Sequence, residues 1–204
     1  MPTSNILELY SELNERVKEG RRFFSDTFKN EEYVASTPKL TVIDLGAWQG
    51  DYSFYCLPFS DNIYSIEPDP VPYKILEDTV EKYALKDKIK TFRLAIHDKN
   101  GMVKMNFTHQ GGSAVMEDGG ETECMTLATF IKINNIEKVD ILKIDVENSE
   151  YNIFNSTDFH EVADRIKYII GEFHRGMDGV ALPLEKLGFK VRGITGTNLF
   201  EAKL

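Results

Sequence analysis

Glycines and a carboxylate stand close together in residues 42–51, which read VIDLGAWQGD. A short apolar run ends at Asp44, and Gly46 and Gly50 follow with three residues between them. In an open α/β sheet, ligands bind where the first strand turns into its helix, and glycine lets the backbone approach them closely. The segment therefore predicts a ligand-binding turn. Its expected contacts are Asp44, Gly46, Ala47 and Gly50.

The spacing of these glycines indicates which ligand the turn binds. A dinucleotide pyrophosphate requires the pattern G-x-G-x-x-G, which presents helix-terminal amides to an anion. Here the pattern is G-x-x-x-G, and Asp44 stands just before it. A carboxylate at that position repels pyrophosphate but suits the ammonium of the methionine moiety of S-adenosylmethionine. The turn therefore favours S-adenosylmethionine over a nicotinamide dinucleotide.

A second carboxylate, Glu67, lies twenty-one positions beyond Gly46, at the end of the next predicted strand. A carboxylate there can accept hydrogen bonds from both hydroxyls of a ribose. We therefore expect Glu67, and Pro68 after it, to contact the cofactor. This spacing alone also fits a nicotinamide cofactor, so the glycine turn makes the distinction. In the structural alternative, the two glycines only form a tight turn and Glu67 only caps a helix.

Three charged residues share one face of the predicted strand over residues 139–147. Side chains alternate along a strand, so Lys143, Asp145 and Glu147 point the same way. Three charges on a buried strand are unfavourable unless they are paired or functional. Pairing of Lys143 with a neighbouring carboxylate is the structural interpretation. In the functional interpretation, Asp145 orients the methyl donor or removes a proton from an acceptor hydroxyl.

A histidine, His174, follows another predicted strand and shares a face with Glu172. Histidine titrates near neutral pH, so His174 is a second candidate for the general base that deprotonates an alcohol. His97, His109 and His160 have no comparable context and are assigned no role. The acidic strand ends and His174 also offer ligands for a divalent ion, but their spacing is not diagnostic and no metal is assigned. That ligand set is Asp145, Glu147, Glu172 and His174.

The elements that position these residues alternate between strands and helices after Pro38. Such alternation predicts a single doubly wound, mostly parallel sheet, covered by helices on both faces. Gly196 separates the last two strands and predicts an antiparallel C-terminal hairpin, and the two Gly-Gly pairs in residues 109–120 predict a mobile loop. The predicted strands are 40–45, 62–66, 90–96, 103–107, 139–146, 166–173, 189–194 and 198–202, and the predicted helices are 50–59, 70–84 and 126–134.

The sequence resembles the FkbM family of methyltransferases over residues 40–174. Four blocks carry the resemblance: IDLGA with GD at 43–47 and 50–51, IEP at 66–68, DILKIDVE at 140–147, and EFH at 172–174. The resemblance implies a Rossmann-like class I methyltransferase fold and S-adenosylmethionine as the methyl donor. It also implies methylation of hydroxyl groups, often on glycans or polyketide products. Trp48, Ala128 and Asn148 depart from the family pattern, and asparagine at 148 still tolerates a left-handed turn.

The domain organisation follows from these assignments. Residues 1–38 are predicted as an N-terminal helical extension, because apolar residues recur at helical spacing over residues 5–28. Residues 39–204 are predicted as the methyltransferase domain. The chain has 204 residues, which suits one α/β domain with a modest extension.

Composition limits the partners and the location. The net charge of −9 is repelled by phosphate backbones, so nucleic acid is excluded as an expected partner. Two cysteines without a framework spacing, and no apolar run long enough for a membrane, predict a cytoplasmic protein. The expected acceptor is a small molecule or a glycan, and the oligomeric state is left open. A non-catalytic S-adenosylmethionine-binding protein and a nicotinamide-dependent oxidoreductase are the alternatives to an O-methyltransferase.

Overall fold

The computed structural model describes residues 40–109, 112–117 and 119–204. The helix predicted over residues 5–28 lies outside the described residues, and so does the extension that it was assigned to.

A mostly parallel sheet forms the centre of the described chain. Its spatial order is β10-β11-β9-β8-β1-β2-β3, and β11 runs opposite to the other six strands. The predicted parallel sheet with an antiparallel C-terminal hairpin is therefore confirmed. The strands of this sheet are β1 (Thr41–Leu45), β2 (Asn62–Ile66), β3 (Ile89–Phe92), β8 (Ile141–Ile144), β9 (Tyr168–Glu172), β10 (Lys190–Gly193) and β11 (Leu199–Lys203).

A second, four-stranded sheet in the order β4-β7-β5-β6 lies between β3 and β8 in the chain. It corrects two predictions. The strand predicted over residues 90–96 is divided between the two sheets, and the predicted mobile loop contains β6 and the start of β7. In β7 only Cys124 is fully buried, so no apolar alternation marks this strand in the sequence. Its strands are β4 (Ala95–Ile96), β5 (Gly101–Asn106), β6 (Ala114–Val115) and β7 (Gly120–Met125).

Short helices connect the strands. The helix α2 has a strong start signal, because Asp69 caps it by accepting from the Val71 amide and Pro70 occupies its first turn. The helix predicted over residues 50–59 is shorter, and three later helices have no prediction. The helices are α1 (Asp51–Tyr55), α2 (Pro70–Lys82), α3 (Leu127–Ile133), α4 (Glu150–Asn155), α5 (Thr157–His160) and α6 (Asp178–Lys186), with a 3₁₀ turn at Ala163–Arg165.

Alternation along β1 divides the core between the two faces of the main sheet. Ile43 and Leu45 pack into the larger apolar cluster, and Val42 packs into the smaller one with Phe54 and Leu76. Because β9, β8, β1 and β2 are parallel neighbours, their carboxyl ends meet at one edge of the sheet. This edge is where a doubly wound sheet binds ligands.

Candidate functional site

A cavity of about 580 Å³ lies at this edge, within the range of small-molecule sites. Of the predicted site residues, it is lined by Gly46, Ala47, Glu67, Pro68 and Asp145. The remaining three, Asp44, Gly50 and His174, are not among its lining residues. Trp48, Glu147 and Glu172 also line it.

The turn after β1 is packed directly against the end of β8. Gly46 has a φ of +71°, and a Cβ built on it would lie 1.8 Å from the backbone oxygen of Asp145. The amides of Gly46 and Ala47 both donate to the carbonyl of Ile66, at 3.0 and 2.9 Å. Gly46 is therefore required by contact between backbone segments, and not only by the approach of a ligand.

The second glycine, Gly50, serves packing rather than the cavity. It caps α1 with a φ of +90°, and a Cβ there would lie 2.5 Å from Leu76 Cδ1 and 2.7 Å from Phe54 Cε2. Its Cα faces the core between α1 and α2, and its contact with the cofactor stays a prediction.

Asp44, which also does not line the cavity, is held by other residues of the protein. Its side chain is fully buried, and strand alternation points it to the same face as Val42, below the turn. The Ser53 hydroxyl donates to its Oδ2 at 2.6 Å, and Lys143 Nζ lies 3.3 Å from its Oδ1. Lys143 is therefore the cation that Asp44 pairs with in this structure, and the contact of Asp44 with a ligand ammonium stays a prediction.

Lys143 ties the end of β1 to β8. Its ammonium donates to the carbonyls of Leu45 and Gly46, at 3.3 and 2.6 Å. Burial lowers the pKa of Lys143, but the charges of Asp44 and Asp145 outweigh burial and hold the pKa above its ordinary value. The structural interpretation of Lys143, which the sequence left open, is the one observed.

Glu67 presents a nearly buried carboxylate, with 6% of the residue exposed. Its Oε2 accepts from the amide of Trp48 and its Oε1 from the amide of Asp69, both at 2.8 Å. Burial raises the pKa of Glu67 to about 7, against the opposing effect of these hydrogen bonds and of Lys143. Since a carboxylate has about four acceptor positions, each oxygen retains one for a ligand hydroxyl. The ribose role remains a prediction that this geometry allows.

Asp69, after β2, and Glu147, after β8, hold residues 109, 112 and 113 by hydrogen bonds. Asp69 Oδ2 accepts from the His109 amide at 3.0 Å and from the Ser113 hydroxyl at 2.8 Å, and His109 Nδ1 lies 2.8 Å from Oδ1. On the other side, the Gly112 amide donates to the carboxylate of Glu147. Burial raises the pKa of Asp69, but its hydrogen bonds, first that from His109, bring the pKa below its ordinary value. His109, which was assigned no role, is therefore bound to Asp69 by both its amide and its side chain.

Asp69 was not predicted as a site residue. The one sequence signal available was Asp69 immediately before Pro70, which marks a helix cap. The pairing with Ser113 spans 44 positions and has no local signature.

The far wall of the cavity is acidic. A left-handed turn at Glu147 (φ +50°) and Asn148 (φ +78°) follows β8, as expected for asparagine at 148. The turn folds the chain back so that carboxylates surround His174. Its Nε2 lies 3.2 Å from Glu147 Oε2 and 3.9 Å from Asp145 Oδ1, and its Nδ1 lies 3.3 Å from Glu150 Oε1.

These neighbours determine which groups accept protons. Hydrogen bonds with Glu147 and then Glu150 raise the pKa of His174 to about 10, so the imidazole is already protonated at neutral pH. This argues against His174 as the general base. Burial raises the pKa of Asp145, and burial together with the charge of Asp145 raises the pKa of Glu172. Both carboxylates line the cavity, so both are placed to accept a proton from a bound molecule.

Comparison with known proteins gives the family. Residues 44–191 match the methyltransferase FkbM domain, which covers most of the chain. The chain belongs to the FkbM methyltransferase family. Its cofactor is S-adenosylmethionine. The site fits this cofactor, because an open cavity adjoins the glycine turn and the anchored carboxylate of Glu67. No curated protein matches the sequence significantly.

Solved structures with the same fold include three methyltransferases. FkbM from Methylobacillus flagellatus KT has a TM-score of 0.62 and 12% identity over 89% of this chain. This chain covers 46% of that protein, less than half of its length. TrmK of M. capricolum, in complex with S-adenosylhomocysteine, has a TM-score of 0.51 and 12% identity, covering 94% of this chain and 67% of that one.

The third is an S-adenosylmethionine-dependent methyltransferase from Aquifex aeolicus. Its TM-score is 0.51 at 15% identity, and the match covers 94% of this chain and 95% of that one. These likenesses establish the Rossmann-like methyltransferase fold. Within the described residues, no helix is both long enough and apolar enough to cross a membrane.

Proposed function

We propose that the chain is an O-methyltransferase that methylates a hydroxyl group of a small molecule or a sugar. The observation that supports this proposal is the set of residues that line one cavity. The glycine turn, Glu67 and the carboxylates of Asp145 and Glu172 all line it. A cofactor pocket and a proton acceptor therefore share one space.

S-adenosylmethionine, when bound, supplies a sulfonium methyl group that an oxygen nucleophile takes by in-line displacement, which leaves S-adenosylhomocysteine. Glu67 accepts hydrogen bonds from the ribose hydroxyls through the positions that Trp48 and Asp69 leave open. Ala47 and Pro68 border the same end of the cavity and position the nucleoside by contact. The rigid turn at Gly46 keeps this end in register with Asp145, so that positioning contributes to the rate.

Asp145 accepts the hydroxyl proton as the bond between oxygen and methyl carbon forms. Its burial raises the pKa, which brings the carboxylate closer to the range of an effective general base. Lys143 Nζ lies 4.0 Å from Oδ2 and attracts the carboxylate by its charge. His174 is protonated at neutral pH, so it acts on Asp145 by charge and position.

The acceptor is neutral or cationic on this proposal. Asp145, Glu147 and Glu172 face the same cavity, and their charges repel a phosphate or carboxylate on the acceptor. A neutral glycan or polyol fits this wall better than nucleic acid does.

The test is methyl transfer from labelled S-adenosylmethionine to a panel of neutral sugars and polyols, with their phosphorylated forms as matched controls. We expect transfer to neutral hydroxyls and S-adenosylhomocysteine binding that NAD does not compete with. Transfer to amines alone, or to phosphorylated acceptors in preference to neutral ones, would contradict the proposal. Tight binding of S-adenosylhomocysteine without transfer to any acceptor would favour a non-catalytic binding protein.

A further inference from the structure

We propose that Asp145, Glu150 and His174 bind a divalent metal cation of the Mg²⁺ and Mn²⁺ class at the wall of the cavity. The inference deepens the proposed function, because Asp145 is also the residue to which that function assigns the acceptor proton. Cation binding itself does not depend on methyl transfer and is measured separately.

The three side chains are already gathered around one point. One ligand atom from each lies within 4.8 Å of the other two. Octahedral bonds of about 2.1 Å to Mg²⁺ or about 2.4 Å to Ca²⁺ place opposite ligand atoms about 4.2–4.8 Å apart and adjacent ones about 3.0–3.4 Å apart. A small movement of the side chains therefore suffices to close the three onto one ion.

An independent observation points to a missing partner for Glu150. Its side chain is fully buried, and its Oε1 accepts from the Val146 amide at 2.9 Å. Within the described part of the chain, its Oε2 is buried and has no hydrogen-bond partner. A buried carboxylate oxygen without a donor is unfavourable. A cation would satisfy it.

The charges near the site leave an excess of negative charge. Asp145, Glu147 and Glu150 surround a single imidazole, and the nearest other cation, Lys143, lies 4.0 Å from Asp145 Oδ2 and is shared with Asp44. Glu172 adds a further carboxylate close enough to be affected by Asp145 and His174. A divalent ion would balance this group of acidic residues.

The ligand types and their positions select the ion. Two carboxylates favour the hard ions Mg²⁺ and Mn²⁺, and one imidazole is better tolerated by Mn²⁺ than by Mg²⁺ or Ca²⁺. Asp145 Oδ1 faces His174, whereas Oδ2 faces Lys143. An ion on the Oδ1 side therefore leaves Oδ2 for the acceptor. Beside the cavity, the ion would lower the pKa of an acceptor hydroxyl.

This site differs from the ligand set considered from the sequence. The set contains Glu150 instead of Glu147 and Glu172. The turn at Glu147 and Asn148 places the start of α4 close to Asp145. In the metal-free chain His174 is an imidazolium and supplies a cation to these carboxylates. A bound ion would displace the ring proton and take over that role.

The experiment is a titration of the metal-stripped full chain with Mn²⁺, followed by electron paramagnetic resonance of free Mn²⁺, with Mg²⁺ as competitor. We expect one saturable site that Mg²⁺ displaces. Glu150→Gln keeps an oxygen for the Val146 amide and removes the charge, and it should raise the Kd for Mn²⁺ at least about tenfold. Glu172→Gln removes a neighbouring charge outside the ligand set and should weaken Mn²⁺ binding clearly less than Glu150→Gln does.

Four results would overturn the proposal: no saturable Mn²⁺ binding in the unmodified chain, equal weakening by Glu150→Gln and Glu172→Gln, Zn²⁺ binding without Mn²⁺ binding, or failure of Mg²⁺ to displace Mn²⁺. If Glu150→Gln does not fold, Asp145→Asn replaces it in the comparison, since Asp145 is partly exposed.

Titration of the same proteins with S-adenosylhomocysteine separates the two proposals. A chain that binds Mn²⁺ but methylates no hydroxyl refutes the proposed function alone.

Discussion

The Cα of Gly46 faces the backbone carbonyl of Asp145 so closely that a Cβ at position 46 would lie 1.8 Å from the carbonyl oxygen. The amide of Asp145 donates to the carbonyl of Leu45 at 3.1 Å, so the two strand ends are joined from both sides. The cofactor turn and the proposed base therefore belong to one rigid unit. Disturbing either residue's backbone displaces the other.

Because of this contact, we expect Gly46→Ala to destabilise the fold even when no ligand is bound. A residue forced to positive φ costs about 1–2 kcal/mol, and the overlap with Asp145 adds about 1–3 kcal/mol. Gly196→Ala is the matched control, because Gly196 also has a positive φ (+80°) but no atom within 4 Å of the added Cβ. Denaturant unfolding of the two variants should show a clearly larger loss at position 46. Equal losses would mean that the overlap is relieved without cost.

A second prediction concerns Glu67. Glu67→Ala should weaken S-adenosylhomocysteine binding by about 1.5–3 kcal/mol, the usual value of charge-assisted hydrogen bonds. The same substitution leaves the amides of Trp48 and Asp69 without their acceptor, so it should also lower the stability of the fold. Glu67→Gln keeps one oxygen acceptor and should lose less. Calorimetry that finds unchanged affinity in folded Glu67→Ala would remove Glu67 from the ribose site.

A third prediction concerns pH. The pKa of Glu67 is raised from 4.5 to about 7 by burial, so between these values the folded chain holds a proton that the unfolded chain releases. Its stabilising contribution is therefore full below about pH 4.5 and is lost as the pH rises through about 7, by about 3 kcal/mol in total. Glu67→Gln carries no such proton. The difference in unfolding free energy between the two proteins should change by this amount from pH 4.5 to pH 8, and a constant difference would contradict the assignment.

The fold could be predicted where apolar periodicity was strong. Strand β2 and helix α2 begin at the predicted residues because Asn62–Ile66 is a buried strand and Asp69 with Pro70 starts a helix. Strand β7 was missed because only Cys124 faces a core. Family motifs and spacing located Glu67 and Asp145 on the cavity. They did not show that Asp44 and Gly50 lie outside the cavity lining, since a motif does not show which face a buried residue turns to.

Long-range contacts were beyond the sequence altogether. The anchoring of His109 and Ser113 on Asp69 joins residues 40 or more positions apart. The cluster at His174 depends on a turn that returns Glu150 beneath Asp145, and left-handed geometry at Glu147 has no sequence signal. Such pairings are fixed by the packing of the whole domain, and local propensity carries no record of them.

The hydrogen bonds that Asp69 accepts from His109 and Ser113 lead to a fourth prediction. Asp69→Ala removes both the cap of α2 and the anchor of His109 and Ser113, and it should destabilise the fold by about 1–3 kcal/mol. Ser113→Ala removes one anchor bond only and should cost about 0.5–1.5 kcal/mol. Hydrogen exchange should show faster exchange at the His109 amide in both variants, but faster exchange in α2 only in Asp69→Ala. Unchanged exchange at His109 in Asp69→Ala would show that the anchor is not formed in solution.

The last prediction separates the two candidate bases. Asp145→Asn should lower the single-turnover rate of methyl transfer by roughly 10²–10⁴-fold, the range for general-base catalysis. At saturating donor, the wild-type rate should show no ascending limb that belongs to an imidazole, because the pKa of His174 is about 10 and the ring stays protonated through neutral pH. His174→Ala should therefore leave the shape of the pH–rate profile between pH 6 and 8 unchanged, even where it lowers the rate by releasing Glu147 and Glu150. An ascending limb near pH 6.5 that disappears in His174→Ala would make His174 the base and leave Asp145 to orient the donor. Cofactor titration of both variants completes the comparison, since a residue that orients the donor changes affinity and rate together.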